Sequence, residues 1–136
     1  MTQAFACNMK VIPTKLIDSE GYTLSLSLER VYEALGIEAD YYRILTDSES
    51  KPYGNDPVLY EPSCFKIIDP SEPEFWVCNV GDEGERYCYP SEWSSVGFFE
   101  DYHGGVHAVR QIFWDLLKSY FPETWKERKG NSEQPL

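Results

Sequence analysis

Apolar positions follow two different periods along this chain, and the change between them divides it. Across residues 9–89 they recur every second residue or fall in short runs bounded by Gly, Pro, Asp and Ser. A period of two marks extended backbone with one buried side, whereas a period of 3.6 marks an amphipathic helix. Strands are expected over 9–13, 22–28, 31–35, 41–45, 58–60 and 65–68. The alternation is strictest in 22–28, where Tyr22, Leu24, Leu26 and Leu28 share one face and Thr23, Ser25 and Ser27 the other. Residues 46–57 are poor in apolar groups and read as a long exposed loop; Glu61, Pro62 and Ser63 form a tight turn. The clearest local signal is a hairpin, 75–80 against 85–89 across Gly81-Asp82-Glu83-Gly84, in which Gly84 supplies a left-handed residue. The segment 91–102 is irregular, anchored by Trp93, Phe98 and Phe99.

From 106 to 121 the period becomes helical. Val106, Val109, Phe113, Leu116, Leu117 and Tyr120 form one stripe, with Gly104 and Gly105 before it and Pro122 as its stop. A stripe this wide has to be covered, and Trp76, Val77 and Tyr87 of the hairpin are the expected partners. Residues 126–136 are polar and read as a flexible tail. The fold class expected is mainly β (α+β): a single globular domain over 1–125 with one C-terminal amphipathic helix.

Composition narrows the partners. The 136 residues include ten Tyr, seven Phe and four Trp, and such aromatic wealth suits half-buried strands. With 23 acidic against 12 basic residues the net charge is −11, so nucleic acid and anionic membranes are excluded as natural partners and a basic protein surface fits better. No apolar run approaches a membrane span, and residues 1–10 do not read as a signal peptide. Four cysteines without a secretion signal imply reduced thiols and a cytoplasmic location.

Residues 9–68 resemble the SH3-like small barrel of bacterial and phage proteins. The carrying segments are Leu24-Ser-Leu-Ser-Leu28 with Val31-Tyr-Glu-Ala-Leu35, Asp40-Tyr-Tyr-Arg-Ile44, and Tyr60-Glu-Pro-Ser-Cys-Phe65. The resemblance implies a barrel of short antiparallel strands to which the 75–89 hairpin and the 106–121 helix are additions. It also implies a groove for proline-rich peptides lined by Tyr41, Tyr42, Pro62 and Phe65. The sequence departs from that family at the groove Trp, which is Tyr here, and lacks its first Tyr-Asp-Tyr element.

Chemistry-bearing groupings are few. His103 and His107 have the i, i+4 spacing of a metal pair, with Glu100 or Asp101 as a third ligand, but Gly104 and Gly105 interrupt the helix this requires. Cys78 and Cys88 fall opposite each other in the hairpin, open to bridging, to metal binding with Cys7 or Cys64, or to simple apolar burial. Asp82, Glu83 and Glu85 crowd a solvated hairpin tip. The sequence therefore reads as a non-enzymatic protein-interaction module without cofactors or metals, monomeric or homodimeric, of an accessory, immunity or antitoxin-like kind. The alternative is a small enzyme or metal-binding protein using Glu100, Asp101, His103 and His107 around Tyr102.

Overall fold

The computed structural model describes residues 7–52 and 54–129. Along the chain run β1 (Lys10–Pro13), β2 (Tyr32–Glu33), β3 (Gly36–Glu38), β4 (Tyr41–Leu45), β5 (Pro57–Tyr60), β6 (Phe65–Asp69), β7 (Trp76–Val80) and β8 (Arg86–Pro90). Helices α1 (Phe98–His103), α2 (His107–Tyr120) and α3 (Pro122–Lys129) follow. The strands form two antiparallel sheets, one in the order β2-β1-β6 and the other in the order β5-β4-β3-β8-β7. The protein is thus α+β, and none of these helices is long and apolar enough to cross a membrane.

The larger sheet is the middle of three layers, and its strands alternate accordingly. Ile37, Tyr42, Ile44, Tyr60, Trp76 and Cys88 turn toward the small sheet, where they pack with Val11, Leu24, Leu26 and Tyr32. Leu45 and Tyr89 turn the other way, into a cluster with Trp93, Phe98, Phe99, Tyr102, Phe113, Trp114, Leu117 and Phe121 from the C-terminal third. The chain passes between sheets at one step. The Ala34 N–H donates to the Met9 carbonyl in the small sheet, and the next N–H, of Leu35, donates to the Arg43 carbonyl in the large one. Gly36 then opens β3 where a Cβ would overlap the Tyr89 ring.

Neither sheet closes into a barrel, which corrects the SH3-like expectation for residues 9–68. The physical reason is pairing: β3 bonds to β8, with Ile37 opposite Cys88. The free edge of β3 is consumed by the hairpin, which extends an open sheet when it was expected as an addition to a closed one. Residues 22–28 are not a strand either, beyond one bridge of Thr23 to Ile17. Leu24 and Leu26 are buried as the alternation requires, but Tyr22 and Leu28 lie exposed. Tyrosine hydroxyls replace a neighbouring strand here: the Ser25 N–H donates to Tyr60 Oη and the Ser27 N–H to Tyr32 Oη.

The helical end also differs from expectation. Three helices stand where one was expected, and 46–57 is not simply exposed, since Thr46, Asp47, Asn55 and Pro57 are buried. Most of the stripe is covered, with Phe113 and Leu117 fully buried and Val106 left exposed, but by other partners. Phe113 stacks on Trp93 at 4.8 Å and Tyr120 on Phe75 at 4.4 Å. Trp76 faces the opposite core. Pro122 ends α2 and occupies the first position of α3, where its missing N–H costs nothing. The part of the expected tail within α3 is anchored: buried Arg128 donates to the carbonyls of Thr46 and Leu45 and to Asn55 Oδ1. Residues 130–136 lie outside the described residues. Finally, Cys78 and Cys88 form a disulfide across a directly opposed pair, correcting the expectation of reduced thiols for these two.

Candidate functional site

The hairpin's two faces have different fates. On one, Trp76 and Cys88 enter the sheet-to-sheet core. On the other, Val77, Asn79, Tyr87 and Tyr89 form one wall of a cleft of about 380 Å³. Its floor is Trp93, Phe98 and Phe99, and its far lip is Ser94, Ser95, Val96 and Gly97. Gly97 holds φ 83 at the start of α1, a left-handed turn that suits glycine. Val96 stands fully exposed on that lip, 104% by relative area.

Two carboxylates, Glu38 and Glu100, line this aromatic cleft. Glu38 is fixed from below: Arg43 Nη2 donates to its Oε1 at 2.8 Å, and Tyr89 Oη donates to the same oxygen at 2.8 Å. Arg43 is itself buried, donates Nε to Tyr89 Oη at 2.9 Å and Nη1 to the Pro57 carbonyl at 3.0 Å, and lies over the Phe99 ring at 3.9 Å. Burial above all pushes the Tyr89 phenol well above its ordinary range, so it stays a neutral donor. Glu100 is exposed on α1.

Strand β7 borders this cleft and ends the sheet. Its register with β8 places Val77 opposite Tyr89 and Asn79 opposite Tyr87. The Gly81 N–H donates to the Glu85 carbonyl, so by alternation the backbone groups of Cys78 and Val80 point to the open edge. Val77 and Val80 are 52% and 69% exposed. β7 carries neither Pro nor Lys, the usual protections of an edge.

A second cleft, of about 690 Å³, is lined by two arginines, Arg43 and Arg110, together with His103, Asp56, Val58 and Leu59. His103 Nδ1 is 3.4 Å from Asp56 Oδ2, and its Nε2 contacts the Pro57 carbonyl at 3.1 Å. Both ring nitrogens are therefore engaged with protein oxygens, a poor arrangement for a general base that must reach substrate.

The residues expected to carry function are dispersed. Tyr42 and Phe65 meet edge to face at 5.7 Å between the two sheets, Tyr41 is exposed on the opposite side of β4, and Pro62 begins a 3₁₀ turn. Without a barrel, the groove implied for Tyr41, Tyr42, Pro62 and Phe65 loses its scaffold. Glu100 lines the first cleft and His103 the second; Asp101 is exposed, and His107 opens α2 in solvent. Among the described residues, the three-donor grouping close enough for a metal ion is Glu72, Cys78 and Cys88. Of the cleft wall, Val77 and Tyr87 stand out in the sequence, but as expected cover for the helix; Asn79 and Tyr89 join them only through the hairpin register.

The fold defines an α+β protein of two antiparallel sheets with helices over one of them. Comparison with known proteins finds no matching family model, no matching curated protein and no matching solved structure.

Proposed function

We propose that this protein is a non-enzymatic interaction module that takes an extended, basic segment of a partner protein along β7 and into the adjoining aromatic cleft. The observation that carries the reading is an unprotected edge strand beside an apolar cleft lined by Glu38 and Glu100. A segment adding to β7 would satisfy the outward backbone groups of Cys78 and Val80, while alternate side chains entered the cleft. Lys or Arg there would lay its methylenes on Phe98 and Phe99 and its charge against the carboxylates. The net charge of −11 would add long-range attraction. A role of accessory, immunity or antitoxin-like kind in the cytoplasm is consistent with such one-partner docking.

Fluorescence anisotropy with ten-residue peptides tests this. Peptides alternating Val with Lys or Arg should bind, more weakly as salt rises, and their Val–Glu counterparts should not. Glu100→Lys and Val77→Asp should each reduce affinity while leaving the melting temperature unchanged. Equal binding of basic and acidic peptides, or indifference to both substitutions, would sink the reading.

A further inference from the structure

On the face of the hairpin away from the cleft, a single side-chain nitrogen touches three metal-type donors. Arg86 Nη2 lies 2.8 Å from Glu72 Oε1, 3.2 Å from Cys88 Sγ and 3.7 Å from Cys78 Sγ. The donor atoms of Glu72, Cys78 and Cys88 all lie within 4.8 Å of one another. A second contact, Arg86 Nη1 to Glu72 Oε2 at 2.7 Å, completes a bidentate pair. A positive group thus already stands among the three donors. Around a tetrahedral zinc ion, two sulfurs and a carboxylate oxygen stand about 3.5–3.8 Å apart, so the Glu72 carboxylate would close in by roughly 1 Å at most, while the two sulfurs, bonded to each other in the disulfide, would spread to that spacing once reduced.

The geometry points to a site for a thiophilic divalent cation of the zinc class, formed by Glu72, Cys78 and Cys88 when the disulfide is reduced, with Arg86 as the resident cation it displaces. Reduction takes two electrons and two protons from an external dithiol. The S–S bond breaks, each protein sulfur becomes a thiol, and the dithiol closes to its own disulfide. Each thiol then gives up its proton as it ligates the metal. The two thiolates and the carboxylate bring three negative charges, which a divalent ion neutralises better than one guanidinium. Water fills the fourth position.

Position and exposure support this assignment. Cys78 and Cys88 are opposed in the register, with Cα atoms 4.1 Å apart, so both sulfurs stay on one face whichever oxidation state they hold. Cys78 is exposed and Cys88 buried, giving the metal one wet side for entry and one anchored ligand. The Arg86 side chain is 40% exposed and can swing into water without passing through the core. In a reducing compartment such a pair is held as the dithiol that metal requires. The site uses the hairpin face opposite the peptide cleft, and its test reads metal and not peptide.

Cobalt(II) is the probe. The protein is reduced with dithiothreitol, desalted under nitrogen and titrated while thiolate-to-cobalt charge-transfer and d–d bands are recorded. One equivalent should produce the bands of a tetrahedral two-thiolate site, and zinc(II) should abolish them. Cys78→Ser and Cys88→Ser should each remove the bands, and Glu72→Gln should weaken binding by on the order of tenfold. Arg86→Gln should tighten it, because the competing cation is gone. Cys7→Ser and Cys64→Ser should leave the titration unchanged. Since Cys88 is buried, the exposed Cys78→Ser variant, with circular dichroism matching wild type, keeps the test decisive. Bands that are absent from reduced wild type, that survive Cys78→Ser, or that weaken in Arg86→Gln would overturn the assignment, as would equal cobalt uptake by the oxidised protein.

Discussion

The two sides of the five-stranded sheet are sealed by different means. Against the small sheet it packs a mixed set, in which Met9, Val11, Leu24, Leu26 and Ile44 sit with Tyr32, Tyr42, Tyr60 and Trp76. Against the helices it packs a largely aromatic one, where Leu35, Leu45 and Leu117 are the aliphatic members among the buried described residues. The tyrosines of the first side use their hydroxyls to hold loops: Tyr32 Oη accepts from the Ser27 N–H and donates to Asp47 Oδ1 at 2.6 Å. The rings of the second side mostly meet edge to face, as Phe113 does with Phe99, Tyr102 and Trp114, while Trp93 stacks on Phe113 and Phe121. Strands can fix a core by register alone, whereas an irregular segment such as 91–97 needs large rings to fill the space it leaves. That contrast explains why the open cleft lies on the helix side, where rings leave a gap beside the hairpin.

The largest expected effect probes the aromatic side. Phe113→Ala removes a fully buried ring from the centre of the stack and should cost about 3–5 kcal/mol in urea unfolding, against about 2–5 kcal/mol for Leu26→Ala on the other side. Both variants should unfold in a single transition. Two separate transitions would show that the faces melt independently.

Alkali probes both sides together. Burial foremost lifts the Tyr32 phenol to about 12, helped by its hydrogen bond to Asp47, and burial lifts Tyr102 to about 12 as well. A raised tyrosine pKa contributes stability that is complete below the unfolded value of 10.0 and is lost as pH rises toward the folded value. Stability should therefore fall between pH 10 and 12, by on the order of 1–3 kcal/mol per group, less for Tyr32, which solvent screens more. Tyr32→Phe and Tyr102→Phe should each flatten that fall, measured by urea midpoints across pH.

Arg128 ties the helical end to the loop after β4. Arg128→Ala leaves the buried carbonyls of Leu45 and Thr46 without this donor and should cost about 1–3 kcal/mol. Cutting the chain before Pro122 should cost more than that single substitution. The smallest effect is at the lip of the cleft: Val96→Ser should change stability by less than about 0.5 kcal/mol while reducing peptide affinity.

Much of the strand pattern was legible because burial imposes period two on any strand with a core on one side. β1 follows it, β4, β5, β6 and the hairpin stand out instead as short aromatic and β-branched runs bounded by turn residues, and α2 follows its own period. What sequence could not convey was pairing. The β3-to-β8 match joins residues far apart in the chain and leaves no local mark, so nothing in the sequence separates an open sheet from a closed barrel. Residues 22–28 misled for a related reason: Leu24 and Leu26 are buried as a strand's would be, but tyrosine hydroxyls supply the backbone partners. α3 is hidden by its polarity, since buried Arg128, Thr124 bonded to Glu33, and a single packed Trp125 hold it in place of an apolar stripe. The cleft shared the fate of the pairing, because it exists only where the hairpin and the 94–100 segment meet.

The central claim is that a partner's basic strand docks on β7 and in the cleft beside it. Amide chemical-shift mapping with a Val–Lys alternating peptide tests it most directly. The account predicts that the largest shifts fall on Cys78 and Val80 and on residues 94–100, with both outward amides gaining protection from hydrogen exchange. Shifts confined to the second cleft around His103 and Arg110, with the β7 amides unprotected, would contradict it.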